Sequence, residues 1–244
     1  MDRNARKTNF KIFVGILIVI LFFVMSLLVA GFLGGKVGES DADLRQVQQP
    51  VDPTQIKSAV NASPYLILVN KTHGVGRNYR PGDLTPVGPA VKGDQELRKT
   101  AARAFKQMIA AAEKAGCHIK VTSAFRSYAL QEELYKGYVN KDGQEDAEHY
   151  SARPGYSEHQ TGLAADVSAA SVNYQLVQSF GTTKEGKWLA ENAYRYGFII
   201  RYPKGKEAIT GYEYEPWHLR YVGTSVAAEM YQKGITLEEY LKDV

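Results

Sequence analysis

Two short polar motifs that must meet in space constrain this chain more than anything else in it. Ser157-Glu158-His159-Gln160-Thr161-Gly162-Leu163-Ala164-Ala165-Asp166 is answered further along by Glu215-Pro216-Trp217-His218. His159, Asp166 and His218 form a ligand set suited to a catalytic Zn2+, with one coordination position left for water. Glu215, just before the last histidine, can act as the base that takes a proton from that water. Ligand atoms stand about 2 Å from zinc, so His159 and Asp166 have to converge. Seven residues of helix would separate them by about 10 Å along the axis. The segment therefore folds back, and Gly162 is the residue best able to turn there. Leu163 to Ser168 then reads as a strand with Ala164, Asp166 and Ser168 on one face. The same alternation directs Glu158 away from His159, toward solvent.

The second motif needs a local irregularity. On a regular strand Glu215 and His218 point to opposite faces, because their separation is odd. Pro216 lacks an N–H and restricts Glu215 to extended or turn conformations. A turn or bulge at Pro216-Trp217 is the expected device that brings both side chains to one site. Glu213 is the fallback for the base, and Trp217 is expected to pack.

An upstream motif, Ser123-Ala124-Phe125-Arg126-Ser127 with Gln131 following, completes a pattern. Together the motifs resemble those of the VanY-type D-alanyl-D-alanine carboxypeptidases, zinc peptidases of the LAS group (lysostaphin, D-Ala-D-Ala peptidases, hedgehog). Such enzymes carry S-x-H-x(6)-D, E-x-W-H and S-x-[FY]-R-S. The resemblance covers roughly residues 64 to 241. It implies a zinc-dependent removal of the C-terminal D-alanine from peptidoglycan stem peptides, and a LAS/hedgehog-like fold. It further implies that Arg126, Ser157 and Gln131 contact substrate. The guanidinium fork of Arg126 suits a terminal carboxylate or a developing oxyanion, and a structural salt bridge is the alternative. An L,D-carboxypeptidase on tetrapeptide stems, a D,D-dipeptidase or an endopeptidase would share the site. A non-catalytic wall-binding module would have no need of Glu215.

Charge excludes one class of function. The net charge is +4, and Arg3, Arg6, Lys7 and Lys11 against Asp2 account for +3 of it. The rest of the chain is nearly balanced and shows no basic stripe, so no nucleic-acid partner is expected. Cys117 is the only cysteine. It can form no disulfide within the chain and is expected to pack as a small hydrophobe. His73, His118 and His149 lie outside the motifs and read as surface or packing residues.

The first 11 residues form a basic tail expected in the cytoplasm. Ile12 to Gly35 holds no charge and as a helix is about 36 Å long, more than a hydrocarbon core of about 30 Å. It reads as a transmembrane anchor rather than a cleaved signal, with the N-terminus inside and everything after Lys36 outside. Cleavage would make the protein secreted. Residues 36–62 are polar and read as a linker. The catalytic domain is expected over residues 63–244, as a monomer.

Within the domain, Tyr65 to Val69 reads as a first strand. Asp94 reads as the N-cap of a helix running to about Ala115, with Leu97, Ala101, Phe105, Met108, Ile109 and Ala112 as its buried stripe. Further helices are expected at about Tyr128–Tyr138 (capped by Ser127), around Trp188 to Tyr196, at Val226–Gln232 and at Leu237–Leu241. Strands are expected at Ile119–Val121 and Phe198–Ile200. Helices interleaved with short strands give an α+β domain with a small antiparallel sheet flanked by helices.

Overall fold

The computed structural model describes residues 63–242, and the expected transmembrane segment and linker lie outside them. Among the described residues no helix is long and apolar enough to cross a membrane. The fold is α+β. A hairpin of β1 (Leu84–Val87) and β2 (Gln95–Arg98) leads into α1 (Lys99–Lys114). Then come β3 (Ile119–Ser123), α2 (Tyr128–Asp142) and α3 (Gln144–Tyr150). A 3-10 turn at Glu158–Thr161 precedes β4 (Ala164–Ala169). The chain continues through α4 (Lys184–Asn192), β5 (Phe198–Tyr202), the short α5 (Glu207–Thr210) and β6 (Glu215–Tyr221). It closes with α6 (Thr224–Lys233) and α7 (Leu237–Lys242).

The main sheet has the order β3-β4-β6-β5, antiparallel throughout. Its apolar face packs on α1 through Ala101, Phe105, Met108 and Ala112, against Val121, Val167, Phe198 and Leu219. Phe105 and Phe198 meet edge to face with centroids 6.0 Å apart. Cys117 is buried in this core, as expected of a small hydrophobe.

Two expected elements differ. Asp94 does not cap α1, because Gln95–Arg98 pairs with β1 instead and the helix starts only at Lys99. That strand has a tertiary use. The Gln95 side chain accepts from the Ala124 N–H at 2.8 Å, and the Glu96 carbonyl accepts from Phe125 N–H at 2.8 Å. The loop leading to Arg126 is thus fixed from the hairpin, a long-range demand that outweighs a local cap. Tyr65 to Val69 is not a strand. Leu66 and Val69 are buried, but the carbonyls of Tyr65 and Ile67 accept from the Arg220 guanidinium at 2.9 and 2.7 Å rather than from a neighbouring strand.

Candidate metal centre

Asp166 lies at the middle of the sheet, directly across from Ser123 on β3 and from His218 on β6. Directly opposite positions on antiparallel strands bring side chains within about 5 Å, which is how two ligands far apart in sequence meet. His159 arrives by the predicted turn. Its 3-10 segment ends at Gly162 in the left-handed region with φ 66°. A Cβ there would stand 2.9 Å from Leu84 Cδ2, so both backbone angle and space call for glycine.

The irregularity in β6 is also present. Ile200 pairs with Leu219 and Tyr202 with Glu215, so β6 carries four steps where β5 carries two. The bulge places the Glu215 carboxylate 3.8 Å from His218 Nδ1. Glu213 is exposed and bonds Gln178, away from the cluster.

Potential ligand atoms of His159, Asp166 and His218 all lie within 4.8 Å of one another, and the three side chains are buried. His159 Nε2 is 3.1 Å from Asp166 Oδ2, and His218 Nδ1 is 2.9 Å from Asp166 Oδ1. The outward nitrogens have partners of their own. His159 Nδ1 lies 2.6 Å from the Ala124 carbonyl, and His218 Nε2 lies 3.4 Å from Glu158 Oε2. Both partners are acceptors, so a ring proton on each outward nitrogen has a place to donate, and that tautomer would leave the inward one, Nε2 of His159 and Nδ1 of His218, to bind an ion. Two imidazoles and a carboxylate converging in this way fit zinc by donor type and by supporting hydrogen bonds.

Charge is balanced closely here. Burial alone would raise the Asp166 carboxyl, but the surrounding imidazoles hold it well below the usual carboxylate range. Burial would lower His218, yet its bonds to Asp166 and Glu158 carry it up to about 9. His159 is lowered, chiefly by burial. Burial raises Glu215 to about 7, opposed by His218 and by Lys71. Lys71 itself is lowered to about 8 by burial, with its Nζ 3.7 Å above the Tyr212 ring. Tyr212 packs on Tyr202, whose ring lies 4.9 Å from that of His218.

Arg126 borders the cluster, with Nη2 3.8 Å from Asp166 Oδ2. It donates to Gln131 Oε1 at 2.8 Å and to Ser123 Oγ at 3.1 Å. Ser127 caps α2 by accepting from Leu130 N–H, and so sets Gln131 on the first turns of the helix. Gln131 is buried, and its amide nitrogen is already bonded to the Ala152 carbonyl at 2.7 Å. Its side-chain oxygen is the one that accepts from Arg126. Ser157 is buried just ahead of the 3-10 turn. His118 pairs with Glu113 at the surface, His73 joins an Asn70 turn, and His149 is exposed.

Glu158 corrects the sequence reading. It is buried rather than solvent-facing, because the segment is a 3-10 turn and not a strand, so alternation does not apply. Its carboxylate accepts from two buried arginines, Arg201 and Arg220, at 2.8 and 2.5 Å. These outweigh burial and hold it below the usual carboxylate range. Neither arginine was singled out, though a signal existed for one. Arg220 stands two residues after His218 in an apolar strand and therefore shares its face.

Comparison with known proteins agrees with this geometry. The family described as VanY, D-alanyl-D-alanine carboxypeptidase, matches residues 94–224. YodJ of Bacillus subtilis, named as a candidate carboxypeptidase, is 46% identical over 196 residues, covering 78% of this chain and 71% of its own length. A D-alanyl-D-alanine carboxypeptidase of Enterococcus faecalis is 39% identical over 185 residues, covering 72% and 65%. Among solved structures, the LdcB LD-carboxypeptidase superimposes with a TM-score of 0.69 at 46% identity, over 72% of this chain and 85% of that one. A VanY D,D-pentapeptidase variant from a VanB-type vancomycin-resistance cassette, in complex with Zn(II), gives 0.62 at 34%, over 73% and 99%.

Proposed function

Because the chain belongs to the VanY D-alanyl-D-alanine carboxypeptidase family, we propose that it is a zinc-dependent carboxypeptidase releasing the terminal D-alanine of peptidoglycan stem peptides. The observation that carries this reading is Glu215. A largely covered carboxylate with its pKa near 7 stands beside a three-ligand cluster, which a wall-binding module would not require. His159, Asp166 and His218 would hold the ion. When bound, zinc supplies a Lewis acid for the scissile carbonyl and brings the pKa of water toward about 7.

The protein's own groups do the rest. Glu215 takes the proton of the attacking water and returns it to the leaving amine, so the peptide C–N bond breaks as the new C–O bond forms. Arg126, held by Gln131 and Ser123, presents its guanidinium to negative charge on the substrate, either the terminal carboxylate or the developing oxyanion. Ser157, buried two residues before His159, would contact substrate as the family resemblance implies.

The motifs alone put the D,D bond of the pentapeptide first. Similarity leans to the other bond, since identity is 46% with an LD-carboxypeptidase against 39% with a D-alanyl-D-alanine carboxypeptidase and 34% with a VanY D,D-pentapeptidase. We place the L,D bond of the tetrapeptide ahead. The charge-free run at 12–35, with basic residues before it, supports an extracytoplasmic domain on a membrane anchor. The test is D-alanine release by the full chain in detergent from tetrapeptide and pentapeptide stems, with zinc, with chelator and as Glu215→Ala. Zinc-dependent release lost in the variant supports the mechanism, and the faster stem names the bond. Zinc binding with no D-alanine from either stem would refute it.

A further inference from the structure

Four charged side chains lie buried behind the metal centre, and the hydrolytic mechanism uses none of them. Glu158 Oε1 accepts from Arg201 Nε at 2.8 Å and Arg220 Nη1 at 2.5 Å. The rest of the Arg201 fork donates to both oxygens of Glu238, at 2.8 and 2.6 Å, and Glu238 also accepts from the Asn70 amide at 3.2 Å. Arg220 spends its remaining donors on the carbonyls of Tyr65, Ile67 and Tyr221. Buried ion networks are a poor source of stability, since apolar side chains of like volume often do as well or better. What this one does provide is a carboxylate oxygen, Glu158 Oε2, fixed 3.4 Å from His218 Nε2.

That oxygen decides a choice His218 would otherwise make badly. The neutral ring carries one proton. On Nδ1 the proton would face Asp166 Oδ1 at 2.9 Å, a good hydrogen bond that closes the nitrogen needed for the ion. On Nε2 it faces Glu158 and leaves Nδ1 free. We propose that Glu158 is a positioning residue for the metal centre: it holds the His218 proton on Nε2, and Arg201, Arg220 and Glu238 fix Glu158 for that task. The inference rests on the zinc reading of the site but is independent of which bond is cleaved. It also ties α7, through Glu238, to a metal centre it does not touch.

Glu158→Gln preserves shape and reverses the signal. Both arginines face one oxygen position, so the carbonyl of the glutamine must stay there and its NH2 turns to His218 Nε2. The amide then donates, and the ring proton moves to Nδ1. Using the full chain in detergent, zinc affinity is read by competition with a chromogenic chelator, with the circular dichroism of the metal-free form as the check on folding. The expected result is a folded variant whose affinity for zinc is weaker by about 10- to 100-fold. Affinity within about twofold of wild type overturns the proposal, because supporting partners of ligating histidines exceed that. Should the variant not fold, nitrogen-15 histidine spectra of the zinc-loaded wild type decide. A proton on Nε2 of His218 with Nδ1 bound supports the assignment, and a proton on Nδ1 overturns it. A wild type that binds zinc but releases no D-alanine refutes the catalytic reading and leaves this one to its own measurements.

Discussion

Replacing Glu215 with glutamine should make the protein more stable and nearly inactive at once. Burial raises this carboxyl from 4.5 to about 7, so the folded protein holds the proton more tightly than the unfolded chain. Between those pH values the unfolded chain has already lost its proton while the fold keeps it, and stability falls as pH rises. Each tenfold change in ionisation corresponds to about 1.4 kcal/mol, so carrying the ionised group in the fold costs roughly 3 kcal/mol above pH 7. Glutamine has the same shape and no such cost. In the metal-free chain the variant should match wild type near pH 4 and melt higher at pH 8, by roughly 5–10 °C for a domain of this size. Zinc-supported D-alanine release should fall by about 10²- to 10⁴-fold, the usual contribution of a general base. Thermal melts in chelator at the two pH values, beside turnover at saturating zinc, make the comparison. An equal melting shift at both pH values would refute the burial argument, and retained turnover would refute the base.

Two further outcomes follow from the groups around it. Arg126→Lys keeps the charge but loses the planar fork that Gln131 and Ser123 orient, and kcat/KM should drop by about 10²- to 10³-fold; a loss under about threefold would mean the fork is not used. The Lys71 charge opposes the upward shift of Glu215, so Lys71→Met should move the acid limb of the pH–kcat/KM profile to higher pH, whereas an unmoved limb would show that the cation is not felt.

The ligands and the turn between them were legible because their spacing has few geometric solutions. His159 and Asp166 cannot share an ion without a reversal, and Gly162 is the one residue between them free to make it. The odd separation of Glu215 and His218 likewise demanded a bulge, which β6 has. What escaped was set at long range. Asp94 carries a good local cap signal, yet the strand after it is needed to brace Ala124 and Phe125. Tyr65 to Val69 has the composition of a strand, but its carbonyls are taken by Arg220, more than 150 residues on. Glu158 was misread because alternation was applied across a 3-10 turn. No composition rule would have placed two arginines in the interior; only their carboxylate partners, scattered along the chain, explain them.

The Glu238 contact joins parts of the chain that lie far apart in sequence. Every candidate ligand lies at or before His218, and so does the base. Even so, the network behind His218 is complete only when Glu238, in the first turn of α7, docks on Arg201 and meets Asn70 from the other end of the domain. A domain without α7 would hold the candidate ligands but lack the carboxylate that pairs with the Arg201 fork. The metal centre therefore draws its support from both ends of the domain, through Asn70 and Glu238, as well as from the strands that carry its ligands.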